Sequence, residues 1–259
     1  MKIISWNVNS IRARLEQVFE LIKEESPCLL CLQETKIVDN QFPQEPFSEL
    51  GYYSYFNGMP SYNGVAILSK NKLTNISSLN FCGKKDARHI SAEQNKVELI
   101  NIYVPAGGDV PDPNLNSKFS HKLTFLDELN KLLKKKKNKT AIVCGDLNIA
   151  PHKDDVWSHK RLQNVVSHTE IERKSLKNII EENNFTDAIR RFLNPTENIF
   201  TWWSYRSPNF EKNNRGRRLD HILVSKDLSS NLKRAKILKN FRKKKKPSDH
   251  VPICLELNI

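Results

Sequence analysis

The chain has 259 residues, 38% of them hydrophobic, which suffices for a sizeable core in one large domain or two small ones. Its 42 basic and 29 acidic residues give a formal net charge of +13, which favours a polyanionic partner, although a composition merely rich in lysine accounts for it equally well. No apolar run approaches the length of a bilayer span, so the composition excludes a transmembrane protein.

The five cysteines are an odd number, and most of them lie in apolar runs. This pattern is typical of buried free thiols in a reducing compartment. Cys28 and Cys31 form a C-x-x-C pair, but no second Cys or His pair is spaced to complete a zinc site, so we expect neither metal nor redox use. The first residues have the pattern of a strand rather than of a signal peptide, and we expect a cytoplasmic protein.

In the first half of the chain, strands and helices alternate. KIISWNV (2–8) predicts a strand, and residues 10–25 predict a helix capped at Asn9 or Ser10. The apolar run PCLLCLQE (27–34) indicates a strand buried on both faces. Two further strands, at 52–57 and 64–69, are joined by a turn, and residues 89–105 predict a hairpin whose second strand ends at Tyr103.

The second half begins with a loop at 106–114 and an amphipathic helix, whose apolar positions are Phe119, Leu123, Leu126, Leu129 and Leu133. TAIVCGDLN (140–148) predicts a buried strand, and residues 170–184 predict a third helix. The rest is predicted to be rich in strands, at 200–205, 218–225, 234–242 and 250–257. The pattern predicts one α/β domain over residues 1–259, with two mixed sheets packed face to face and helices outside.

Polar side chains lie at the ends of six predicted strands. They are Asn7, Glu34, Tyr103, Asp146 with Asn148, Asp220, and Asp249 with His250. Carboxylates beside apolar strands are rarely buried without a partner, so this recurrence indicates one polar crevice at a rim of the sheets. Their oxygen atoms are hard ligands suited to Mg²⁺ or Mn²⁺. Taken singly, each residue also has a structural explanation, such as a turn cap for Asp146 or a salt bridge from Arg217 or Arg218 to Asp220.

Seven segments resemble, in order and spacing, the motifs of the exonuclease III family of apurinic/apyrimidinic endonucleases, within the endonuclease/exonuclease/phosphatase superfamily. They are WNVNSIRA, LQETK, IYVPAGG, CGDLNIAP, FTWWSYRS, NRGRRLDHILVS and PSDHVPI. The match spans nearly the whole chain, and seven motifs in order are far more specific than any one of them. The resemblance implies a four-layer α/β sandwich and a Mg²⁺-dependent enzyme, with Mn²⁺ as an alternative ion.

The resemblance also implies a set of metal ligands. Glu34 is the principal ligand, with Asn7 and Asn9 near the same ion and Asp249 near a second metal position. Asn9 stands where some relatives carry Asp, which removes one negative charge from the site. Whether one or two ions act is left open.

The catalytic groups implied by the resemblance follow the same rim. Asp146 would orient or deprotonate the attacking water, and Asn148 would bind the phosphate or that water. Tyr103 would donate a hydrogen bond to the scissile phosphate. His250 would contact the phosphate or act as the base, and Asp220 would fix its tautomer.

Substrate recognition is implied for four residues. Trp202 and Leu219 match positions that form a pocket for a flipped-out, base-free deoxyribose, and Arg88 is a further expected substrate contact. Arg217 stands where some relatives have Trp, so its guanidinium would stack or hold phosphate. Ala106 replaces an amide side chain of relatives, and Asp109 lies in a loop that is often basic.

The implied activity is incision of DNA 5′ to abasic sites and processing of 3′ ends, in base excision repair. The expected partner is double-stranded DNA with abasic sites or blocked 3′ ends, the expected state is a monomer, and no membrane is involved. The lysine runs near residues 134–139 and 243–246 are solvated faces or contacts to the DNA backbone. Two alternatives remain: a superfamily phosphatase acting on inositol phosphates or lipids, and a non-catalytic DNA-binding relative.

Overall fold

The computed structural model describes residues 1–137, 139–194, 196–206 and 209–259. The helices are α1 (Ile11–Glu25), α2 (Gln44–Glu49), α3 (Ser117–Lys135), α4 (His159–Leu162), α5 (Glu170–Glu182) and α6 (Phe210–Asn213). The strands are β1 (Lys2–Asn7), β2 (Leu29–Gln33), β3 (Tyr53–Asn57), β4 (Val65–Ser69), β5 (Thr74–Ser77), β6 (His89–Gln94), β7 (Val97–Tyr103), β8 (Ala141–Asp146), β9 (Phe185–Asp187), β10 (Trp202–Trp203), β11 (Gly216–Arg217), β12 (Asp220–Ser225), β13 (Leu232–Ile237) and β14 (Ile253–Leu257).

Two six-stranded mixed sheets form the centre of the molecule. The first has the order β13-β14-β1-β2-β4-β3 and the second the order β5-β6-β7-β8-β12-β9. In each sheet one central pair is parallel, β1 with β2 and β7 with β8, and the other pairs are antiparallel. Apolar side chains of both sheets, among them Ile3, Ile67, Ile142 and Ile222, pack into one shared core. The prediction of two mixed sheets packed face to face is confirmed.

Helices cover the outer faces of both sheets. α1 and α2 pack on the first sheet through a cluster that includes Val18, Leu21 and Phe47. α3 and α5 pack on the second sheet through Leu129 and Leu176 and their neighbours. The result is the four-layer sandwich expected from the sequence. Among the described residues, no helix combines the length and the apolar character that a membrane crossing requires.

The strand-rich last part of the chain differs from the prediction. In FTWWSY only Trp202 and Trp203 form a strand, and β13 ends at Ile237, before a 3-10 turn at Lys239–Lys243. The last strand begins at Ile253 rather than at His250, because Pro252 lacks the N–H that a ladder needs. The exposed β5 and the short β9 were not predicted, since neither carries an apolar alternation. Asn138 in the first lysine run and Ser207 in FTWWSYRS lie outside the described residues.

Gly145 lets β8 approach β7 closely, one residue before the rim. Its φ is +141°, and a Cβ atom there would lie 1.9 Å from the carbonyl oxygen of Ile102. We expect Gly145→Ala to lower the free energy of unfolding by at least about 2 kcal/mol, because backbone strain and overpacking combine. Urea unfolding measures this. Gly51→Ala is the control: its φ is +80° but nothing lies within 4 Å of the added Cβ. Equal losses in the two variants would contradict the role of close approach.

Candidate active site

The polar strand ends meet at one rim, as predicted. β1, β2, β7 and β8 all end there, and the antiparallel β12 begins there with Asp220 opposite Asp146. They border a cleft of about 690 Å³. The predicted residues that line this cleft are Glu34, Tyr103, Asp146, Asn148, Trp202, Arg217, Leu219, Asp249 and His250. Asn7 and Asp220 are buried beneath the cleft and hydrogen-bond residues that line it. The remaining two predicted residues, Asn9 and Arg88, lie beside the cleft.

The imidazole of His250 lies between two carboxylates. Its Nδ1 is 2.9 Å from Oδ2 of Asp220, and its Nε2 is 3.6 Å from Oδ2 of Asp146. Burial opposes a charge on His250, but the two carboxylates outweigh it and raise its pKa to about 10. Burial raises the pKa of Asp146 to about 7, although His250 opposes that shift. The arrangement favours an imidazolium flanked by two carboxylates. Because Asp220 pairs with His250, the alternative of a salt bridge from Arg217 or Arg218 to Asp220 is wrong.

Asn7 joins the two sheets at the rim. Its Nδ2 donates to Oε1 of Glu34 at 2.8 Å and to Oδ2 of Asp146 at 3.0 Å, and its Oδ1 accepts from the backbone N–H of Asn9 at 3.0 Å. The side chain is fully buried. An amide with fixed donors on two carboxylates holds them at a set separation.

A cation-binding arrangement lies around Glu34. The Nζ of Lys36 is 3.0 Å from Oε2 of Glu34 and donates to Oδ1 of Asn9 at 2.5 Å, while Nδ2 of Asn9 donates to Oδ1 of Asp249 at 3.0 Å. Burial opposes ionisation of Glu34, but the hydrogen bond from Asn7 and the charge of Lys36 outweigh it and hold its pKa below the usual range. The lysine ammonium thus stands where a metal cation could be held by hard oxygen ligands.

A second group of potential metal ligands consists of Asp146, Asp220 and His250, whose ligand atoms lie within 4.8 Å of one another. In this group Oδ2 of Asp220 is already hydrogen-bonded to the imidazole of His250. Oδ1 of Asp220 is buried without a hydrogen bond among the described residues. Glu34 and its neighbours also offer hard oxygen atoms to an ion, which would have to displace the ammonium of Lys36 from Glu34 and Asn9.

Several residues at the rim, among them Asn9, Glu34 and Asn148, adopt left-handed backbone conformations that are uncommon for residues other than glycine. The φ angles are 45° at Asn9, 51° at Glu34 and 53° at Asn148. The carboxylate of Asp146 accepts from the backbone N–H of Asn148 at 2.9 Å, and the side chain of Asn148 donates to the carbonyl of Val104 at 2.9 Å. Such conformations persist where the surroundings fix them, and they cluster at functional sites.

Tyr103 and Arg88 form one side of the rim. Burial and the nearby negative charge of Glu34 raise the pKa of the Tyr103 hydroxyl. The guanidinium of Arg88 lies 4.6 Å from the centre of the Tyr103 ring and pairs with Asp86 at 2.6 Å. Arg88 thus supports Tyr103 and does not line the cleft, so its expected contact with substrate stays a prediction.

Trp202 forms the other side of the cleft. It pairs with Arg217 in the β10–β11 ribbon and with His250 through an isolated bridge. The guanidinium of Arg217 lies 5.6 Å from the centre of the Trp202 ring, and it donates to the carbonyl of Val166 at 2.8 Å and to the hydroxyl of Ser167 at 2.6 Å. The indole N–H of Trp202 donates to Oδ2 of Asp249 at 2.9 Å. The aromatic side chain therefore links the predicted metal and substrate regions.

Two of the four lysines in the run 243–246 are paired within the protein. Lys243 pairs with Glu211, and Lys244 pairs with Glu20. Lys245 and Lys246 are exposed, and their backbone carbonyls accept from the side chain of Gln17. Only part of the predicted DNA-binding run is thus available to a phosphate backbone.

Several residues of the site were missed in the sequence. Lys36 was not assigned, and a fully buried pair, Lys122 with Glu172 at 2.5 Å, lies beneath the rim. Lys122 donates to the carbonyl of Asn148 at 2.7 Å, and Glu172 accepts from the backbone N–H of Ser167 at 2.9 Å. A signal for Lys122 existed, because it falls on the apolar face of α3. The prediction instead placed there Leu123, which is only half-buried.

The fold and the rim define a class of protein: a four-layer α/β sandwich whose sheets share a carboxylate- and imidazole-lined cleft. The Endonuclease/Exonuclease/phosphatase family model matches residues 4–250. The chain belongs to this family, and the resemblance to its exonuclease III branch is confirmed by the relatives described next.

The chain is 33% identical to the exodeoxyribonuclease III of Haemophilus influenzae, over 99% of each chain. An AP endonuclease structure from Archaeoglobus fulgidus matches with a TM-score of 0.93 and 34% identity, covering 100% of both chains. A 3′ phosphatase from Neisseria, solved with a product DNA hairpin, matches with the same TM-score, 30% identity and 100% coverage of both chains.

Proposed function

We propose that the protein is a metal-dependent DNA repair phosphodiesterase that incises DNA 5′ to abasic sites and processes blocked 3′ ends in base excision repair. The observation that carries this proposal is the His250 imidazole, fixed between Asp220 and Asp146 in a cleft that Glu34 also lines. Acids, an imidazolium and hard metal ligands around one cleft are suited to hydrolysis of a phosphodiester. The names of the relatives and the basic charge of the chain agree with DNA as the substrate.

Hydrolysis requires that water attack phosphorus and that the bond from phosphorus to the upstream O3′ break. Asp146 accepts the proton of the water, and Asn148, held against it, orients that water or the phosphate. His250 cannot be the base while both its ring nitrogens carry protons, so it donates to a phosphoryl oxygen and stabilises the charge that develops there. Tyr103 donates to the same phosphate from the opposite side of the cleft.

Glu34, Asn7 and Asn9 are the residues that would hold Mg²⁺ or Mn²⁺, with Asp249 nearby. The ion, when bound, neutralises negative charge on the phosphoryl group. The chain's own contribution is to hold Glu34 ionised, through Asn7, and to keep its carboxylate at a set distance from Asp146.

We expect EDTA to abolish incision of abasic duplex DNA and added Mg²⁺ or Mn²⁺ to restore it. Glu34→Gln should raise the Mg²⁺ concentration needed for half-maximal rate by at least about tenfold, because a charged ligand is lost. Glu16→Gln, on the exposed face of α1, is the control. Incision that withstands EDTA, or a metal requirement unchanged by Glu34→Gln, would contradict the proposal.

The two alternatives give different results in the same assays. Turnover of inositol phosphates or phosphoinositides without DNA incision would indicate a superfamily phosphatase. DNA binding without cleavage, unaffected by Glu34→Gln, would indicate a non-catalytic relative. The net charge of +13 and the arginine-rich NRGRRLD segment favour the nuclease.

A further inference from the structure

Three arginines line the same cleft as Trp202. They are Arg206, Arg215 and Arg217. Arg215 is exposed and its guanidinium lies 5.0 Å from the centre of the Trp157 ring. Arg217 differs from it, because it is half-buried and because two hydrogen bonds to the 166–167 loop fix it in place.

The positive charge of Arg217 is not neutralised by a carboxylate contact. Within the described part of the chain it makes no salt bridge, and both of its hydrogen bonds come from Nη1, to neutral oxygens. Burial lowers its pKa, and Glu172 offsets this only through longer-range attraction. A desolvated guanidinium with free N–H groups beside a cleft is a site for a carboxylate or phosphate oxygen.

The position of Arg217 relative to the proposed chemistry is set by the strand pairing. Trp202 has Arg217 as its neighbour on one side and His250 on the other. Opposite residues of paired strands project to the same face, and the guanidinium of Arg217 lies over the Trp202 ring. An anionic group attached to a phosphate at His250 would therefore extend along Trp202 towards Arg217.

The groups that can occupy this position differ in charge. At an internal abasic site it holds a base-free sugar, which is neutral apart from the phosphates that link it. At a 3′-phosphate it holds an additional phosphate oxygen, and at a 3′-phosphoglycolate a carboxylate. In each reaction water adds to phosphorus, the bond to the upstream O3′ breaks, and O3′ takes a proton, so the phosphate leaves with the group it carried.

We infer that Arg217 makes the pocket beside Trp202 selective for 3′-terminal groups that carry a negative charge, over a neutral base-free sugar. This inference rests on the proposed function and names the substrate class that its cleft prefers. Arg217 is a specificity-determining residue because it offers a desolvated cation where the substrates differ.

The test compares kcat/KM of the full-length protein on three duplexes, which carry an internal tetrahydrofuran abasic analogue, a 3′-phosphate or a 3′-phosphoglycolate. We expect Arg217→Leu to lower the ratio of each anionic substrate to the abasic analogue by about 10- to 100-fold, the range for a charged hydrogen bond. Arg217→Lys should recover much of that ratio, since the charge is kept. A loss confined to one anionic end supports the inference and identifies the anion that reaches Arg217.

Arg215→Leu is the matched control, because Arg215 lines the same cleft without being fixed or desolvated. It should lower all three rates in parallel. The inference is overturned if Arg217→Leu lowers kcat/KM on all three duplexes in parallel, or if Arg217→Lys does not recover the lowered ratio. Neither result would overturn the proposed function. A wild-type protein that cuts none of the three duplexes would overturn the proposed function together with it. Thermal unfolding of each variant separates loss of folding from loss of selectivity.

Discussion

Replacing His250 by alanine is expected to lower kcat for incision at an abasic site by about a thousandfold, with a much smaller change in KM. The imidazolium is fixed by Asp220 at 2.9 Å and lies at the cleft. Its interaction with the phosphoryl group strengthens as charge develops there, so its loss raises the barrier more than it weakens binding. Single-turnover kinetics on a radiolabelled abasic duplex measures both quantities.

We expect Asp220 to act on the reaction through His250, and a double variant distinguishes this from an independent role of Asp220. Asp220→Asn keeps the shape of the side chain but removes the charge that orients and stabilises the imidazolium. The double variant that combines Asp220→Asn with His250→Ala should be no slower than His250→Ala alone, because the two residues work as a unit. His152→Ala, on an exposed histidine away from the rim, should leave the rate unchanged. If the fold-losses in rate of the two single variants multiply in the double variant, the two residues act independently and the coupling is contradicted.

The rim could be predicted because its residues follow strands that are recognisable locally. Asp146 comes at the end of an apolar run, and Asp220 begins another, so their chemistry is visible beside the strand pattern. That they face each other depends on the antiparallel register of β8 and β12, which the sequence does not encode locally. The motif resemblance supplied that long-range information.

The residues that support the rim were harder to predict, since their partners lie far away in the chain. Glu172 caps α5 by accepting from Thr169 and also pairs with Lys122, which is fifty positions away. A capping box is readable from the sequence, but a buried ion pair between two helices is not. Arg217 was predicted to stack or hold phosphate, which stays a prediction. The position of its guanidinium 5.6 Å from the centre of the Trp202 ring, and its anchor at Ser167, could not be foreseen.

The second large effect concerns stability, at the fully buried guanidinium of Arg218. It donates to both carboxylate oxygens of Asp155, at 2.9 and 3.0 Å, and to Asp187 at 2.7 Å. Arg190 also pairs with Asp155. Arg218→Met should lower the free energy of unfolding by about 3–5 kcal/mol, because it leaves buried carboxylates without their main counter-charge. Urea unfolding at neutral pH, followed by circular dichroism, measures the change.

The same cluster predicts how the effect depends on pH. Burial opposes ionisation of Asp155 and Asp187, but Arg218 outweighs it and holds both pKa values below the usual range. The stabilisation is therefore fully present above the pKa of about 4 that an aspartate has in an unfolded chain, and it is lost as the pH falls through the lower native values. The difference between wild type and Arg218→Met should accordingly shrink below about pH 4. Arg234→Met, which removes an exposed pair with Glu256, is the matched control and should change stability little at any pH. An equal loss in the two variants, or a difference that persists unchanged in acid, would show that the charge of Arg218 is not what stabilises this corner of the fold.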